Sequence, residues 1–475
     1  MFPSEIFLIN VPADPVSEHT AHVIARADHP ISRKDISPAA LKVLYRLNEA
    51  GYQAFLVGGG IRDLLIGLHP KDFDVATDAT PEQIRALFRN CRLIGRRFRL
   101  AHVLFGSETI EVATFRGDAP MDSDAAEQTE HRRTDAAGRL LKDNIYGSLD
   151  QDVWRRDFTC NALYYNIADF SLWDYVGGLS DIEQRVLRLI GDPETRYRED
   201  PVRMLRAARF AAKLGFTLAP ETAQPIGHLK MLLANVPPAR LFDEILKLML
   251  SGYGELSLQT LMAYQLIEPM LPPVAEFLSQ HPDEPYARLL RLGLANTDAR
   301  VMDDKTVSPV FLFMVFLIGP VQARAERYVS QGSPWSRARE RALDEVMAEV
   351  LTRVAIPKRF TLPLRDCFAL VSRLRRTDGR RCLANLAHPR FRMAYDILQL
   401  ESEVGLIDPA VVAFWTKLQN LDGDERIALV QKQQADTLSS GADEEADSDS
   451  GSLESPKPKR RRRRRGRARS APNEQ

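Results

Sequence analysis

Leu41, Leu44 and Leu47 recur at intervals of three after Ser37-Pro38 and before Gly51. That period places the apolar side chains on one helical face, with Ser37 as N-cap, Pro38 at the first helical position and Gly51 closing the end. The period then changes. YQAFLV (52–57) reads as a short strand, DFDVA (72–76) as a strand, TPEQIRALFRN (80–90) as a helix, IEVATF (110–115) as a strand and NALYYNI (161–167) as a strand or helix. Strands alternating with helices to about residue 176 predict a small α/β domain. The stretch 116–139 is polar and aperiodic, and predicts a mobile loop.

Beyond Glu199 the pattern turns helical and stays so, through PVRMLRAARFAAKLG, PARLFDEILKLMLSG and LSLQTLMAYQLIEPML to about residue 430. The most apolar run, Val310 to Ile318, is about half of the roughly 20 residues needed to span a bilayer, so it predicts a core helix and no membrane association. Residues 1–36 lack periodicity and predict a loosely ordered arm; residues 437–475 have almost nothing to bury and predict disorder.

Charge changes this picture at one end. The 475 residues carry 64 Lys/Arg and 64 Asp/Glu, a formal zero that hides segregation. Residues 456–475 hold ten Lys/Arg and one Glu, directly after six acids between Asp443 and Glu454. The tail is a separate electrostatic object. Four scattered cysteines without a C-x-x-C pair indicate neither a disulfide framework nor a zinc site, and the first residues lack the basic and apolar regions of a signal peptide. A soluble protein of a reducing cytoplasm is expected.

The densest chemistry lies in FLVGGGIRDLLIGLHPKDFDVAT (55–77). A strand ending at Val57, three glycines and then a helix form a geometry in which backbone N–H groups can cradle phosphate. The dinucleotide fingerprint is excluded because Asp63 stands where its third glycine belongs, and no Gly-Lys-Ser/Thr follows to make a P-loop. In a strand, Asp72 and Asp74 share one face about 6–7 Å apart while Phe73 and Val75 face a core. Two carboxylates on one face suit a hard cation such as Mg²⁺. Metal-assisted phosphoryl chemistry uses a further carboxylate, and Glu111 and Asp157 are both candidates between which spacing does not choose.

Four motifs in order resemble one family: LVGGGIRDLLIG…KDFDVAT, RRDFTCNALYYN (155–166), DYVGGLSDIEQRVLRLIGDP (174–193) and YREDPVRMLRAARFAAKLGF (197–216). They look like the motifs of class II nucleotidyltransferases, the group containing bacterial poly(A) polymerases and CCA-adding enzymes. The resemblance implies an α+β fold: a polymerase-β-like nucleotidyltransferase head, an all-α neck and body, and a disordered C-terminal tail. The expected partition is an arm 1–36, head 37–176, neck 177–240, body 241–432 and tail 433–475. It also implies Asp72 and Asp74 as Mg²⁺ ligands of a two-metal site, Asp157 as the further acidic catalytic residue, and Gly59, Arg62 and Arg156 as contacts to the incoming nucleotide. In EDPVRMLRAARF the implied base-reading pair is Asp200 and Arg203, with Arg206 and Arg209 nearby for phosphate or base. A carboxylate and a planar guanidinium can satisfy one base edge together. The helix alone favours Asp200 before Pro201 as an N-cap and the three arginines as a solvated stripe, and the surrounding motifs reverse that reading.

Two segments choose between branches. RLIGRRFRLAHVLFG (92–106), with Arg96, Arg97 and Arg99 around Phe98, resembles the stretch typical of bacterial poly(A) polymerases. The ten positive charges between Lys457 and Arg469 can hold RNA of any sequence. The expected activity is template-independent transfer of AMP from ATP to RNA 3′ ends, with RNA-decay proteins as further partners. A CCA-adding enzyme using CTP and ATP on tRNA is the rival of the same fold, and a non-catalytic RNA-binding protein the rival of another class.

Overall fold

Val75 and Ala76 point to opposite faces of one sheet, and each face has its own core. In the computed structural model, residues 20–95, 99–117, 132–134, 140–143, 145–377 and 381–446 are described, those of 132–134, 140–143 and 435–446 as backbone alone. Arg96, Arg97 and Phe98, most of the 116–139 loop and the charged tail lie outside the described residues.

The strands are β1 (His22–Ile24), β2 (Ala54–Val57), β3 (Asp74–Thr77), β4 (Cys91–Ile94), β5 (Leu100–Phe105), β6 (Glu108–Thr114), β7 (Arg132–Thr134), β8 (Leu140–Asp143), β9 (Leu163–Asn166) and β10 (Leu172–Asp174). Eight of them form a sheet in the order β1-β10-β9-β2-β3-β6-β5-β4, and β7 pairs with β8 separately. Within the large sheet only β3 and β6 run parallel. On one face the helix Pro38–Glu49 buries Val43, Leu44 and Leu47. Its first turn is capped as expected: the Ser37 hydroxyl accepts from the Ala40 N–H at 3.1 Å. On the other face Phe55 packs against Phe115, Tyr164 and Trp173 beneath the helix Leu149–Trp154. Thr159–Asn161 is a 3₁₀ turn and β9 follows it, so the ambiguous NALYYNI segment is a strand.

The N-terminal expectation needs correction. β1 pairs with β10, and Ile24, Ile31 and Ile36 are buried, so residues 20–36 belong to the head. Three well-separated isoleucines anchor an otherwise polar segment without any periodicity that a sequence reading could detect.

The neck begins with the helices Pro193–Glu199 and Val202–Leu214. The second stops at Gly215, whose φ of 65° is the left-handed cap that glycine adopts without strain. The short parallel pair β11 (Val186–Leu187) and β12 (Thr217–Leu218) joins the segment before these helices to the one after them. Helices then succeed one another to Asn420. The expected neck–body boundary at residue 240 falls inside the helix Pro238–Met249. Of LSLQTLMAYQLIEPML only the first half is helical, in Gly254–Ala263, and its remainder connects that helix to the next, Pro272–Gln280. The apolar run 310–318 lies in the helix Pro309–Ser330, long and apolar enough to cross a membrane, with Leu312 to Val321 buried inside the body. The expected disorder from 437 is corrected as far as residue 446, because the helix Gly423–Ala446 runs through the 432/433 boundary. Its Gln, Ala, Leu and Glu residues are good helix formers, so it propagates beyond the packed part.

Candidate active site

Gly58 connects β2 to the helix Gly59–Leu65 with φ 75° and ψ −144°, a conformation that side chains resist. A Cβ on Gly58 would lie 3.6 Å from the Asp74 Oδ2 atom and 3.9 Å from the Arg156 Nη1 atom; one on Gly60 would lie 3.3 Å from the Asp72 carbonyl. The glycines therefore let this turn pass directly against the aspartate segment. Gly59 opens the helix, and a Cβ there would meet the Arg62 guanidinium at 3.2 Å.

β3 starts at Asp74, two residues later than expected, so Asp72 sits on the exposed approach to the strand while Phe73 plugs the core between them. Across the sheet, Asp74 is in register with Glu111 of β6, and Glu111 with His102 of β5. The three side chains form one row, with His102 Nε2 3.2 Å from Glu111 Oε1. Asp74 has its carboxyl pushed up to about 6 by burial first and by the Glu111 charge second, with Arg156 opposing and Asp72 adding. A cation would relieve that repulsion, and three carboxylates are a hard-oxygen donor set. Among the described residues no three His, Cys, Asp or Glu side chains enclose an ion by themselves.

The arginines are gripped by the protein. Arg156 donates to Asp152 Oδ2 from Nη2 at 3.0 Å and to the Tyr164 hydroxyl at 2.6 Å, so despite burial its guanidinium titrates above the usual range. Arg62 is only 2 % exposed. It donates to Asp63 Oδ1 from Nε at 2.9 Å and from Nη2 at 2.6 Å, and to Asn161 Oδ1 from Nη1. Asp157 is engaged by the neck. Its Oδ2 accepts from both Nε and Nη2 of Arg206, while its Oδ1 accepts from the Phe158 N–H at 2.8 Å and from Asn161 at 3.3 Å. Burial alone would raise this carboxyl; the Arg206 charge and these donors hold it below the usual carboxylate range.

On the neck, Asp200 is the residue before Pro201, which is itself the N-cap. Its Oδ1 accepts from the Val202 N–H at 3.3 Å and its Oδ2 from Arg240 at 2.7 Å, so capping and side-chain pairing coexist in one carboxylate. Arg203 donates from Nη1 to the Arg196 carbonyl at 2.7 Å and to Glu199 at 3.0 Å. Arg209 is half-buried, with its pKa lowered by desolvation first and Arg206 second. The solvated-stripe alternative fails here: Arg62, Arg206 and Arg209 converge on the Phe210 ring, at 5.3, 5.4 and 5.0 Å from its centroid.

Thus the fold assembles two groups: the row with Asp72, Asp74, Glu111 and His102, backed by Gly58 and Arg156, and a head–neck crevice with Arg62, Asp157, Arg206 and Arg209. Asp63, Asn161, Asp152, Tyr164, Arg240, Phe210 and Lys213 escaped the sequence reading. No spacing rule reveals partners up to 99 residues apart.

Comparison with known proteins follows this geometry. Residues 54–188 match the poly A polymerase head domain, 215–278 the probable RNA and SrmB-binding site of polymerase A, and 331–468 the polymerase A arginine-rich C-terminus. Poly(A) polymerase I of Escherichia coli is 53% identical over 383 residues, which is 80% of this chain and 82% of that protein. Poly(A) polymerase I of Haemophilus influenzae is 43% identical over 87% of this chain and 91% of its own length. The CCA-adding enzyme of Bacillus subtilis is 41% identical over only 48% of this chain and 54% of that enzyme. Among solved structures, the Bacillus stearothermophilus CCA-adding enzyme in complex with CTP shares the fold at a TM-score of 0.54 and 24% identity, covering 80% of this chain and 82% of that one.

Proposed function

The chain belongs to the poly(A) polymerase I family and polyadenylates RNA, and from that premise we propose that it joins AMP from ATP to RNA 3′-hydroxyls without a template, releasing pyrophosphate. The observation that carries the site assignment is the juxtaposition of the Gly58 turn with Asp74, whose carboxyl is itself crowded by Glu111 and Asp72.

In this reading Asp72 and Asp74 hold Mg²⁺, with Glu111 as the third carboxylate of the row. The ion, when bound, neutralises charge on the phosphates and favours ionisation of the attacking hydroxyl. The remaining work is positioning. Gly59, Arg62 and Arg156 face the incoming nucleotide, Arg62 and Arg156 as guanidiniums fixed from behind by Asp63, Asn161, Asp152 and Tyr164. Asp200 and Arg203 read the base. Pinned by Arg240 and Glu199, they present fixed donors and acceptors. Arg206 and Arg209 line the crevice below, and Asp157 acts through Arg206, holding the neck against the head.

The helical neck and body hold the RNA, and the arginine-rich tail tethers its backbone without reading sequence. The cytoplasmic location and association with RNA-decay proteins belong to the same proposal.

Primer extension tests the reading. With Mg²⁺ and one labelled nucleoside triphosphate at a time, long extension of an unstructured RNA by ATP alone is expected. Addition confined to two CMP and one AMP on a tRNA lacking its CCA end would instead assign the reaction of the CCA-adding relatives.

A further inference from the structure

The helix Val202–Leu214 carries one more cation toward the crevice than its arginine motif accounts for. Lys213 occupies its last turn, about ten residues and roughly 15 Å along the axis from the base-reading Arg203. A lysine there offsets the helix dipole, which by itself would leave the side chain in solvent. Instead its Nζ lies 4.0 Å from Asp63 Oδ2, with only 38% of the side chain exposed. Asp63 is already committed, since its other oxygen takes two donors from Arg62.

The surroundings are therefore unbalanced. Arg62, Arg209 and Lys71 all bear electrostatically on Lys213, with Asp63 opposing them. Arg209 in turn is crowded by Arg206 and Arg62, against the carboxylates of Glu244 and of Asp157, the latter already bound by Arg206, and its guanidinium lies 5.0 Å from the Phe210 ring. Desolvation first, opposed by Asp63 and reinforced by these like charges, lowers the affinity of Lys213 for its proton. Cations gathered beyond their internal counter-charge in a half-buried crevice select a polyanion.

We propose that Lys213 is a phosphate-binding residue of the reaction, contacting either the triphosphate of ATP or the backbone phosphate at the RNA 3′ end, with Asp63 holding the ammonium in place until the phosphate arrives. The proposal rests on the assignment of Arg209 to the same phosphate-lined crevice.

The test is steady-state kinetics and direct binding for Lys213→Met, Lys213→Arg and Arg209→Met in the full-length protein. A non-hydrolysable ATP analogue and an unstructured oligoribonucleotide serve as the separate binding probes. Lys213→Met is expected to raise the KM and dissociation constant of one substrate about tenfold, with melting temperature unchanged and Lys213→Arg restoring most of the loss. The substrate that moves identifies the phosphate: weaker analogue binding means the triphosphate, and weaker RNA binding with a shallower salt dependence means the RNA backbone. Unchanged constants in Lys213→Met alongside weakened binding in Arg209→Met would overturn the Lys213 assignment alone. Unchanged constants in both would overturn the crevice reading as well. Should Lys213→Met fail to fold, Lys213→Gln is measured the same way. Loss of stability in that variant without any change in either substrate's binding reduces Lys213 to a partner of Asp63 and overturns the proposal.

Discussion

Arg206 on the neck donates from Nε at 2.7 Å, and from Nη2, to the same oxygen of Asp157 on the head, 49 residues away. The Asp157 side chain is 13% exposed and that of Arg206 34%. Removing one partner of a buried pair strands the other charge, which costs about 3 kcal/mol once the partial exposure of Arg206 is discounted. Asp157→Asn should therefore lower the melting temperature by several degrees and weaken nucleotide binding, while leaving the Mg²⁺ concentration for half-maximal rate unchanged. Glu111→Gln should do the reverse. A shift in Mg²⁺ requirement in Asp157→Asn at full stability would return Asp157 to the metal.

Asp74 predicts a pH signature in the metal-free protein. Its folded pKa is raised to about 6, against about 3.9 in an unfolded chain. A raised carboxyl pKa means that the folded state binds the proton more tightly, so stability is lost as pH rises from about 4 through 6 and the full penalty persists above it. The penalty is on the order of 1–3 kcal/mol. Asp74→Asn should abolish transfer yet melt higher than the parent protein at pH 8, and at the same temperature at pH 4. Adding Mg²⁺ should raise the melting temperature of the parent at pH 8 more than at pH 5. Thermal scans at three pH values decide it, and a pH-independent difference would remove the carboxylate repulsion from the account.

Gly58→Ala is expected to lose activity well beyond its effect on folding. The added methyl enforces an unfavourable φ of 75°, on the order of 1–3 kcal/mol, and stands 3.6 Å from the Asp74 carboxylate. Gly51, with φ 89° and nothing within 4 Å of its Cβ, is the control: Gly51→Ala carries the strain alone. Comparable stability losses with a kcat/KM deficit confined to Gly58→Ala is the expected pattern.

What the sequence made legible follows from the range of the forces involved. Ser37, Pro38 and the leucines of the first helix act over a few residues, and that helix lies where local signals put it, from Pro38 to Glu49. The proximity of Asp74 to the glycine turn was legible too, because β2 and β3 are sequential strands that pair directly. The head–neck crevice was not. Asn161 reaches Arg62, Arg240 reaches Asp200 and Lys213 reaches Asp63 only after the chain has folded back, and nothing in the spacing of a lysine or an asparagine announces such a partner. Helices run through the expected boundaries at 240 and 432 for a related reason: they continue across changes of composition as long as backbone propensity and packing on one side support them.

The arginine-rich tail yields the most quantitative expectation. Residues 456–475 carry ten Lys/Arg and one Glu, whereas residues 1–442 are close to neutral. Each phosphate neutralised on single-stranded nucleic acid contributes a slope of about −0.7 to the logarithmic dependence of affinity on salt. If every tail cation engages RNA, deleting 456–475 removes up to about seven units of that slope; if half engage, roughly three. The truncated enzyme should bind RNA far more weakly at low salt and converge with the parent as salt rises. Its kcat on saturating RNA should be unchanged, because the Asp72–Asp74 site does not depend on the tail. Fluorescence titrations of an unstructured RNA from 50 to about 300 mM salt, run on both proteins, measure the difference directly. Parallel lines of equal slope would show that the folded domains supply the RNA contacts and that the tail does not take part in binding.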